Sequence, residues 1–290
     1  MDRYISRWSS AIVFVVLVSL NISTTARLNK TYDVTPAQIN ISTDNTSIER
    51  GVYIYNTSCA ECHGDNLAGT PFFNDAPIAY IPATNLTSGA GGIGSTYSDI
   101  DYVRAIQHGV SPDGKPLIIM PSEAYWYFSD EDLGAVIAYL KSSPAMDSNL
   151  GEKKITFLGK ALLAGGAFGD IIYAETIAHD QQPPAAPARA TTAEYGEYLV
   201  NIQHCIECHW EDLNGGISPE PEAPFSPNLT PGGVLSTWST TDFINTMQTG
   251  TTPLGHQLDK NYMPYQEIGR MKIDLQKVIR SYFIISNTKQ

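Results

Sequence analysis

Apolar positions in this chain form three kinds of pattern. The first is a block at the N-terminus, Ala11 to Leu20, behind Arg3 and Arg7. The second is helical, with apolar residues three and four apart. Tyr195, Tyr198, Leu199 and Ile202 share one face and predict a helix over Glu194 to Ile202. Another helix is expected to lead into Cys59. Ser129 caps a helix running to Lys141, whose first-turn acids Asp130, Glu131 and Asp132 suit the positive helix end. A counterpart runs from Ile273 to about Ile284, and middle helices start at Ser98 and Thr240 and stop at Gly109 and Gly250. The third pattern is Phe157 to Phe168, apolar and rich in small residues, which reads as a short helix packed on one or both units, or as a membrane-surface helix without the flanking basic face expected of one. Strand signals are weak throughout. Few helices joined by long Gly- and Pro-bearing loops make a poor ordinary core, and make sense around a large bound group.

These elements occur twice. Cys59-Ala60-Glu61-Cys62-His63 reappears 146 residues on as Cys205-Ile206-Glu207-Cys208-His209. Leu67-Ala68-Gly69 matches Leu213-Asn214-Gly215 at the same offset. Asn85-Leu86-Thr87 matches Asn228-Leu229-Thr230, and Met120-Pro121 matches Met263-Pro264, both at 143. Gly91-Gly92 and the Tyr97 segment match Gly232-Gly233 and the Trp238 segment at 141. Ordered landmarks with so little drift mark an internal repeat. Gln181-Gln182-Pro183-Pro184-Ala185-Ala186-Pro187, between the copies, reads as an extended linker.

The length of 290 residues suits two domains. A net charge of −12 disfavours nucleic acid and anionic membranes as partners. The N-terminal block, with Ser23 to Ala26 behind it, has the form of an export signal, and both a cleaved signal and a retained anchor remain open. Its core, read as Ala11 to Leu20, is shorter than a spanning helix requires. Sequons at Asn21, Asn29, Asn40, Asn45 and Asn56 precede the first cysteine, with others at Asn85 and Asn228. They describe either a glycosylated exposed stalk or a segment merely rich in Asn, Ser and Thr.

Cys-x-x-Cys-His is the attachment pattern of c-type haem: two thiols add to the haem vinyl groups and the adjacent histidine reaches the iron. Cys59, Cys62 and His63 would hold one haem; Cys205, Cys208 and His209 would hold a second. A pooled zinc site would leave the histidines and methionines without a role, and a redox dithiol lacks its βαβ setting. Met120 and Met263, at equivalent places 57 and 54 residues after the histidines, are the expected sixth ligands. Met/His ligation is an electron-transfer arrangement. Met146, Met247 and Met271 read as core filler, and His108, His179, His204 and His256 as structural or surface groups. Tyr97 and Trp238 are expected at the haem edge. Asn85 and Asn228 either support the propionate side or form turns.

With these motifs in view, the chain resembles the diheme class I c-type cytochromes. It is similar in organisation to the cytochrome subunits of membrane-bound alcohol and sugar dehydrogenases, over residues 46–145 and 191–287. Those subunits commonly carry three attachment motifs where this chain has two. The chain also lacks the fifth cysteine that the cysteine-ligated haem of thiosulfate dehydrogenases requires. The resemblance implies an all-α fold of two tandem cytochrome c domains, each a few short helices with long loops around a covalent haem c. The expected organisation is a signal or anchor at 1–26, an exposed segment at 27–45, a first domain at 46–145, a linker at 146–190 and a second domain at 191–290. The implied function is electron transfer outside the cytoplasm, without catalysis. Its partners would be redox proteins: a dehydrogenase, a quinol-oxidising complex or a terminal oxidase. Two alternatives are a diheme peroxidase-like enzyme with one labile ligand, and a subunit that self-assembles into an electron-conducting array.

Overall fold

A computed structural model describes residues 2–217 and 223–285. The first part holds α1 (Asp2–Leu28), α2 (Asn45–Ser58), α3 (Ala60–His63), β1 (Thr70–Asp75), β2 (Ala79–Ala83), α4 (Asp99–His108), α5 (Ser122–Tyr125), α6 (Asp130–Ser142), β3 (Lys154–Ile155) and α7 (Phe157–Ala164). The second holds α8 (Ala193–Ile202), α9 (Cys205–His209), α10 (Thr240–Thr249), α11 (Tyr265–Gly269) and α12 (Ile273–Ile285).

The helices begin where local chemistry supplies caps. Ser98 and Ser239 each form a complete capping box, with Asp101 and Asp242 reaching back to the cap backbone. The second cap is therefore Ser239, one residue before the expected Thr240, because Asp242 lies three positions beyond Ser239. Gly109 and Gly250 end these helices in the left-handed region. In each half the first helix crosses the last at close range. A Cβ on Gly51 would stand 2.0 Å from the Ala135 carbonyl oxygen, and one on Gly196 would stand 2.6 Å from Cβ of Tyr282. Only glycine lets these helices approach so near.

The fold is not purely helical. An antiparallel sheet in the order β1-β2-β3 crosses one side of the first half. Its strands escape a pattern search because β1 and β2 carry prolines and β3 is two residues contributed from far along the chain.

Two segments assigned to the linker and to the exposed N-terminal stretch are folded onto the first half, the linker by more than its Phe157–Phe168 part. Residues 146–179 pack there rather than serving as a linker. The Tyr80 hydroxyl donates to the Leu150 carbonyl at 2.6 Å, and the Ile119 amide donates to the Ile171 carbonyl at 2.8 Å. His108 Nδ1 meets His179 Nδ1 at 3.1 Å. The 27–45 segment is likewise not a wholly exposed stalk. Val34 is buried, and Ile39 and Ile41 pack on the main core. Met146 is exposed and works through its backbone, whereas Met247 and Met271 are buried filler.

The halves join through a buried polar cluster. Arg50 on α2 makes a two-pronged bond to Asp132 on α6, at 2.8 and 2.7 Å, and the hydroxyl of Tyr198 on α8 donates to the same carboxylate at 2.7 Å. Asp132 has 4% side-chain exposure and Arg50 11%, so the pair is shielded from water. Removing one partner strands the other charge in a dry interior. Asp132→Ala is therefore expected to cost about 3–5 kcal/mol, seen as a lower denaturant midpoint by far-ultraviolet circular dichroism. A loss under about 1 kcal/mol would mean that Arg50 escapes to solvent.

Burial pushes the His108 imidazole from 6.5 down to about 4, and lowers that of His179 as well. The unfolded chain then takes up protons first as the solution is acidified. The stability these residues lend is full above pH 6.5 and is lost on the way to about pH 4. Urea midpoints at pH 7 and pH 5 should differ more for the native chain than for His108→Asn.

Candidate functional site

α2 delivers Cys59 at its C-terminal end, and the tight turn into α3 brings Cys62 and His63 to the same wall. Three hydroxyls pin this turn to the backbone. Tyr55 donates to the Gly64 carbonyl at 2.5 Å, Thr70 donates to the Cys62 carbonyl at 2.6 Å, and Tyr125 donates to the Ser58 carbonyl. The chain then doubles back. The Gly69 amide donates to the His63 carbonyl at 2.9 Å, and the Leu86 amide donates to the Leu67 carbonyl at 2.8 Å. Gly69 is required here, since a Cβ would meet the Ala83 carbonyl oxygen at 2.2 Å at a φ of +77°.

That return path sets the histidine. His63 Nδ1 lies 2.8 Å from the Thr84 carbonyl oxygen. A carbonyl only accepts, so Nδ1 carries the hydrogen and Nε2 keeps its lone pair for a metal. Burial lowers the His63 pKa, which favours the neutral, ligating form.

Facing this wall is the segment after α4. It encloses, with α2, α3 and β2, a cavity of about 350 Å³ lined by Cys59, Cys62, His63, Tyr97 and Met120. Met120 is set by backbone bonds on either side: the Leu117 amide donates to the Gly109 carbonyl at 2.7 Å, and the Met120 carbonyl accepts from the Ser122 amide at 2.8 Å. Ile106, Phe128, Val136 and Leu140 make the interior apolar.

The chemistry of these groups fits a covalently held haem. Burial pushes both Cys59 and Cys62 up to about 12, so in the bare protein they are neutral thiols rather than the reactive thiolate of a redox dithiol. Among the described residues, no three His, Cys, Asp or Glu side chains converge as a metal site. Tyr102 and the cation Lys153 also line the cavity, and the Tyr102 hydroxyl is buried without a hydrogen-bond partner in the protein. An orphaned donor and a cation in one apolar wall suit the carboxylates of a haem edge. Sequence patterns missed both, because Tyr102 faces Phe243 in the repeat and Lys153 lies beyond the repeat altogether. Asn85 does not line the cavity. Its side chain accepts from the Thr87 amide at 2.9 Å and donates to the Met146 carbonyl at 2.7 Å, which is a turn-forming role.

The second half repeats this hydrogen bonding. His209 Nδ1 lies 2.9 Å from the Pro227 carbonyl oxygen, which leaves its Nε2 free in the same way. The Gly215 amide donates to the His209 carbonyl at 3.1 Å, and the Leu229 amide donates to the Leu213 carbonyl at 2.9 Å. Asn228 forms the same turn as Asn85, accepting from the Thr230 amide at 2.7 Å. The Met263 carbonyl accepts from the Tyr265 amide at 2.7 Å. Burial pushes Cys205 up to about 12 and lowers His209. Trp238 is half-buried against the core, and its carbonyl accepts from Arg280. The remaining histidines do not line the first cavity. His108 and His179 bond to each other, His204 faces Glu207 at 3.5 Å, and the His256 amide donates to Thr252 Oγ1 at 3.1 Å.

Residues 48–144 match the cytochrome c family model. This segment is a cytochrome c domain. A cytochrome c domain implies covalent haem c with its iron. The chain is also similar to cytochrome subunits of dehydrogenases. It is 27% identical to the fructose dehydrogenase cytochrome subunit of Gluconobacter japonicus over 308 aligned positions, covering 95% of this chain and 60% of that protein. It is 30% identical to the gluconate 2-dehydrogenase cytochrome c subunit of Pantoea cypripedii over 175 positions, covering 56% of this chain and 37% of the relative. A nicotinate dehydrogenase subunit of Pseudomonas putida shares 27% over 212 positions, covering 66% of this chain and 17% of that protein. The chain thus spans less than two thirds of the length of each of these relatives.

Proposed function

We propose that the chain is a diheme electron carrier outside the cytoplasm, passing electrons between a dehydrogenase-type donor and a further redox protein. The observation that carries the reading is the matched aim of His63 and His209. Each is fixed through Nδ1 to a backbone carbonyl beside a cysteine pair, and each leaves Nε2 available. In this reading Cys59 and Cys62 hold one haem c between His63 and Met120. Cys205 and Cys208 hold the second between His209 and Met263. Residues 46–145 and 191–290 are the two carrier domains. Tyr97, Tyr102 and Lys153 receive the polar edge of the first haem, and Trp238 packs beside the second. Asn85 and Asn228 hold the loops that carry the histidines' acceptor carbonyls.

Bound haem iron supplies a reversible one-electron couple. The protein's part would be to supply His63 and His209 as imidazole ligands and Met120 and Met263 as thioether ligands, and to keep water out. With both kinds of ligand supplied, the iron would have a raised potential and no place for a substrate, which favours a carrier over a peroxidase-like enzyme.

Contacts between the halves favour electron passage within the chain. Gln203 Nε2 donates to Ser58 Oγ at 2.9 Å. Ser58 immediately precedes Cys59, and Gln203 lies two residues before Cys205. Arg270, just beyond Met263, donates to the Asn56 carbonyl at 3.2 Å and faces Asp65 at 3.6 Å. The two attachment segments are therefore held against each other. The similarity to dehydrogenase cytochrome subunits supports a dehydrogenase as donor. The acidic surface suits a basic docking face on the acceptor.

The visible spectrum of the reduced protein should be unchanged by carbon monoxide. Binding at one haem would mean a labile ligand and would favour the enzyme reading. Met120→Ala is expected to open one haem to carbon monoxide while the other stays low-spin. An unchanged variant would remove Met120 from the ligand set. Intact mass should show two covalent haems, and one in Cys205→Ser with Cys208→Ser; two haems in that variant would refute the assignment.

A further inference from the structure

α1 does not end where the Ala11–Leu20 block leaves off, but runs on through the mixed segment from Asn21 to Leu28. The window Ala11–Leu28 has a mean hydropathy of 1.8, and Thr24 is its one fully buried residue. The helix is thus longer than that block alone implies, the added residues being mixed in polarity. At about 1.5 Å per residue, its 27 residues reach roughly 40 Å, enough to cross a bilayer core of about 30 Å. Arg3 and Arg7 at its start would hold that end on the cytoplasmic side and leave the remainder of the chain outside.

Its last turns are anchored to the body of the protein. Thr24 is fully buried, and its hydroxyl donates to the Lys160 carbonyl on α7 at 3.0 Å. Lys160 Nζ in turn donates to Thr25 Oγ1 at 3.0 Å. Arg27 pairs with Glu175 at 2.6 Å. A terminal helix joined to a folded domain by these bonds cannot swing freely on a leash, so the domain's height above the bilayer is fixed.

At that height the domain presents more apolar surface. Phe157 and Leu158, the first residues of α7, are 53% and 47% exposed. Phe157 shares a groove with Val18 and Ile22 of α1. Water-facing neighbours of this kind are costly beside an exposed apolar helix, and both are relieved by one cover. We propose that the start of α7 is a membrane-interface foot: Phe157 and Leu158 insert into the outer leaflet beside α1, so that the bilayer covers both. The occupant is lipid because the foot is continuous with the spanning stretch itself. The acidic charge of the chain means that the attachment is apolar rather than electrostatic. The foot follows directly from β3, which pairs with β2, and β2 supplies Ile81, Pro82 and Ala83 to the cavity wall. The first cavity is therefore held in a set orientation to the membrane, at a distance of only a few residues.

The proposal rests on α1 being retained as a tether. It is tested on full-length protein in phosphatidylcholine vesicles by placing a nitroxide at Leu158→Cys, and separately at Phe157→Cys. Leu254→Cys, 95% exposed in the second half, serves as the aqueous control. The four native cysteines do not take the label if they are thioethers, and labelling of the unsubstituted chain would signal instead that the haem reading has failed. The expected result is that labels at 157 and 158 collide with oxygen more often than with a water-soluble nickel chelate, while the label at 254 shows the reverse. Labels at 157 and 158 that behave like the one at 254, with unchanged haem spectra and α1 present by intact mass, overturn the foot. A mature protein lacking α1 overturns it as well.

Discussion

The bond from a histidine Nδ1 to a backbone carbonyl is the constraint from which the haem-side architecture follows. Imidazole has two nitrogens, and a metal-binding histidine is useful only if one of them is committed elsewhere. In the first half the commitment is to Thr84, 21 residues beyond His63. The chain must therefore leave the histidine, turn back on itself and bring a carbonyl beneath the ring. Gly69 permits that turn, the Leu67 carbonyl receives the returning strand, and Asn85 locks the next corner. The long loops are the length of chain needed to bring the cysteine pair with His63 and the Met120 segment to the walls of one cavity that side chains do not fill. The second half reaches the same end with Pro227 in place of Thr84. A proline there has no amide hydrogen to contribute, but its carbonyl is all that the histidine needs. The acceptor is thus a backbone position, and the side chain that carries it is free to differ.

This explains what could and could not be seen in the sequence. Cysteines, histidines and methionines are tied to one chemical act and stand at nearly constant spacing, so comparing the chain with itself exposes them. Caps are only partly legible: Ser98 and Ser129 read as caps from their residue type, whereas Thr240 reads as well as Ser239 until Asp242 is seen to bond back. The remaining features are relations between distant backbone groups. Nothing in Lys154-Ile155 announces a strand until β2 is there to pair with it. Nothing in 172–179 announces packing until His179 meets His108. Asn85 carried two readings because the same residue type serves both; only its partners, Thr87 and Met146, separate them. Tyr102 illustrates the converse. Its hydroxyl has no counterpart in Phe243, so the repeat that exposes the shared motifs conceals a buried polar group of the first half.

The halves are alike in wiring but not in dress. α5 packs on α8, and α11 packs on α2, so each half places the short helix after its methionine against the helix before the other's cysteines. A reciprocal exchange of this kind is what a two-fold pairing of like units produces. Onto that near-symmetric pair, the first half alone adds the sheet, α7 and the segments on both sides of the unit.

The cluster at Asp132 shows why such a pairing stays in one register. Apolar surfaces attract without direction, and two similar helical units could slide past one another at little cost. A buried carboxylate that must satisfy both Arg50 in its own half and Tyr198 in the other admits a single arrangement. Its net contribution to stability against an apolar alternative is small, because desolvation offsets the attraction. Its contribution to geometry is large, because every displaced register leaves a charge or a hydroxyl without a partner in a dry interior. In the two-haem reading proposed above, electron exchange would depend steeply on the separation of the centres, so a chain that holds its two cysteine segments against each other would gain more from a rigid register than from extra stability. The polar contacts at this boundary, from Asp132 through Gln203 and Ser58 to Arg270, all act on that one variable.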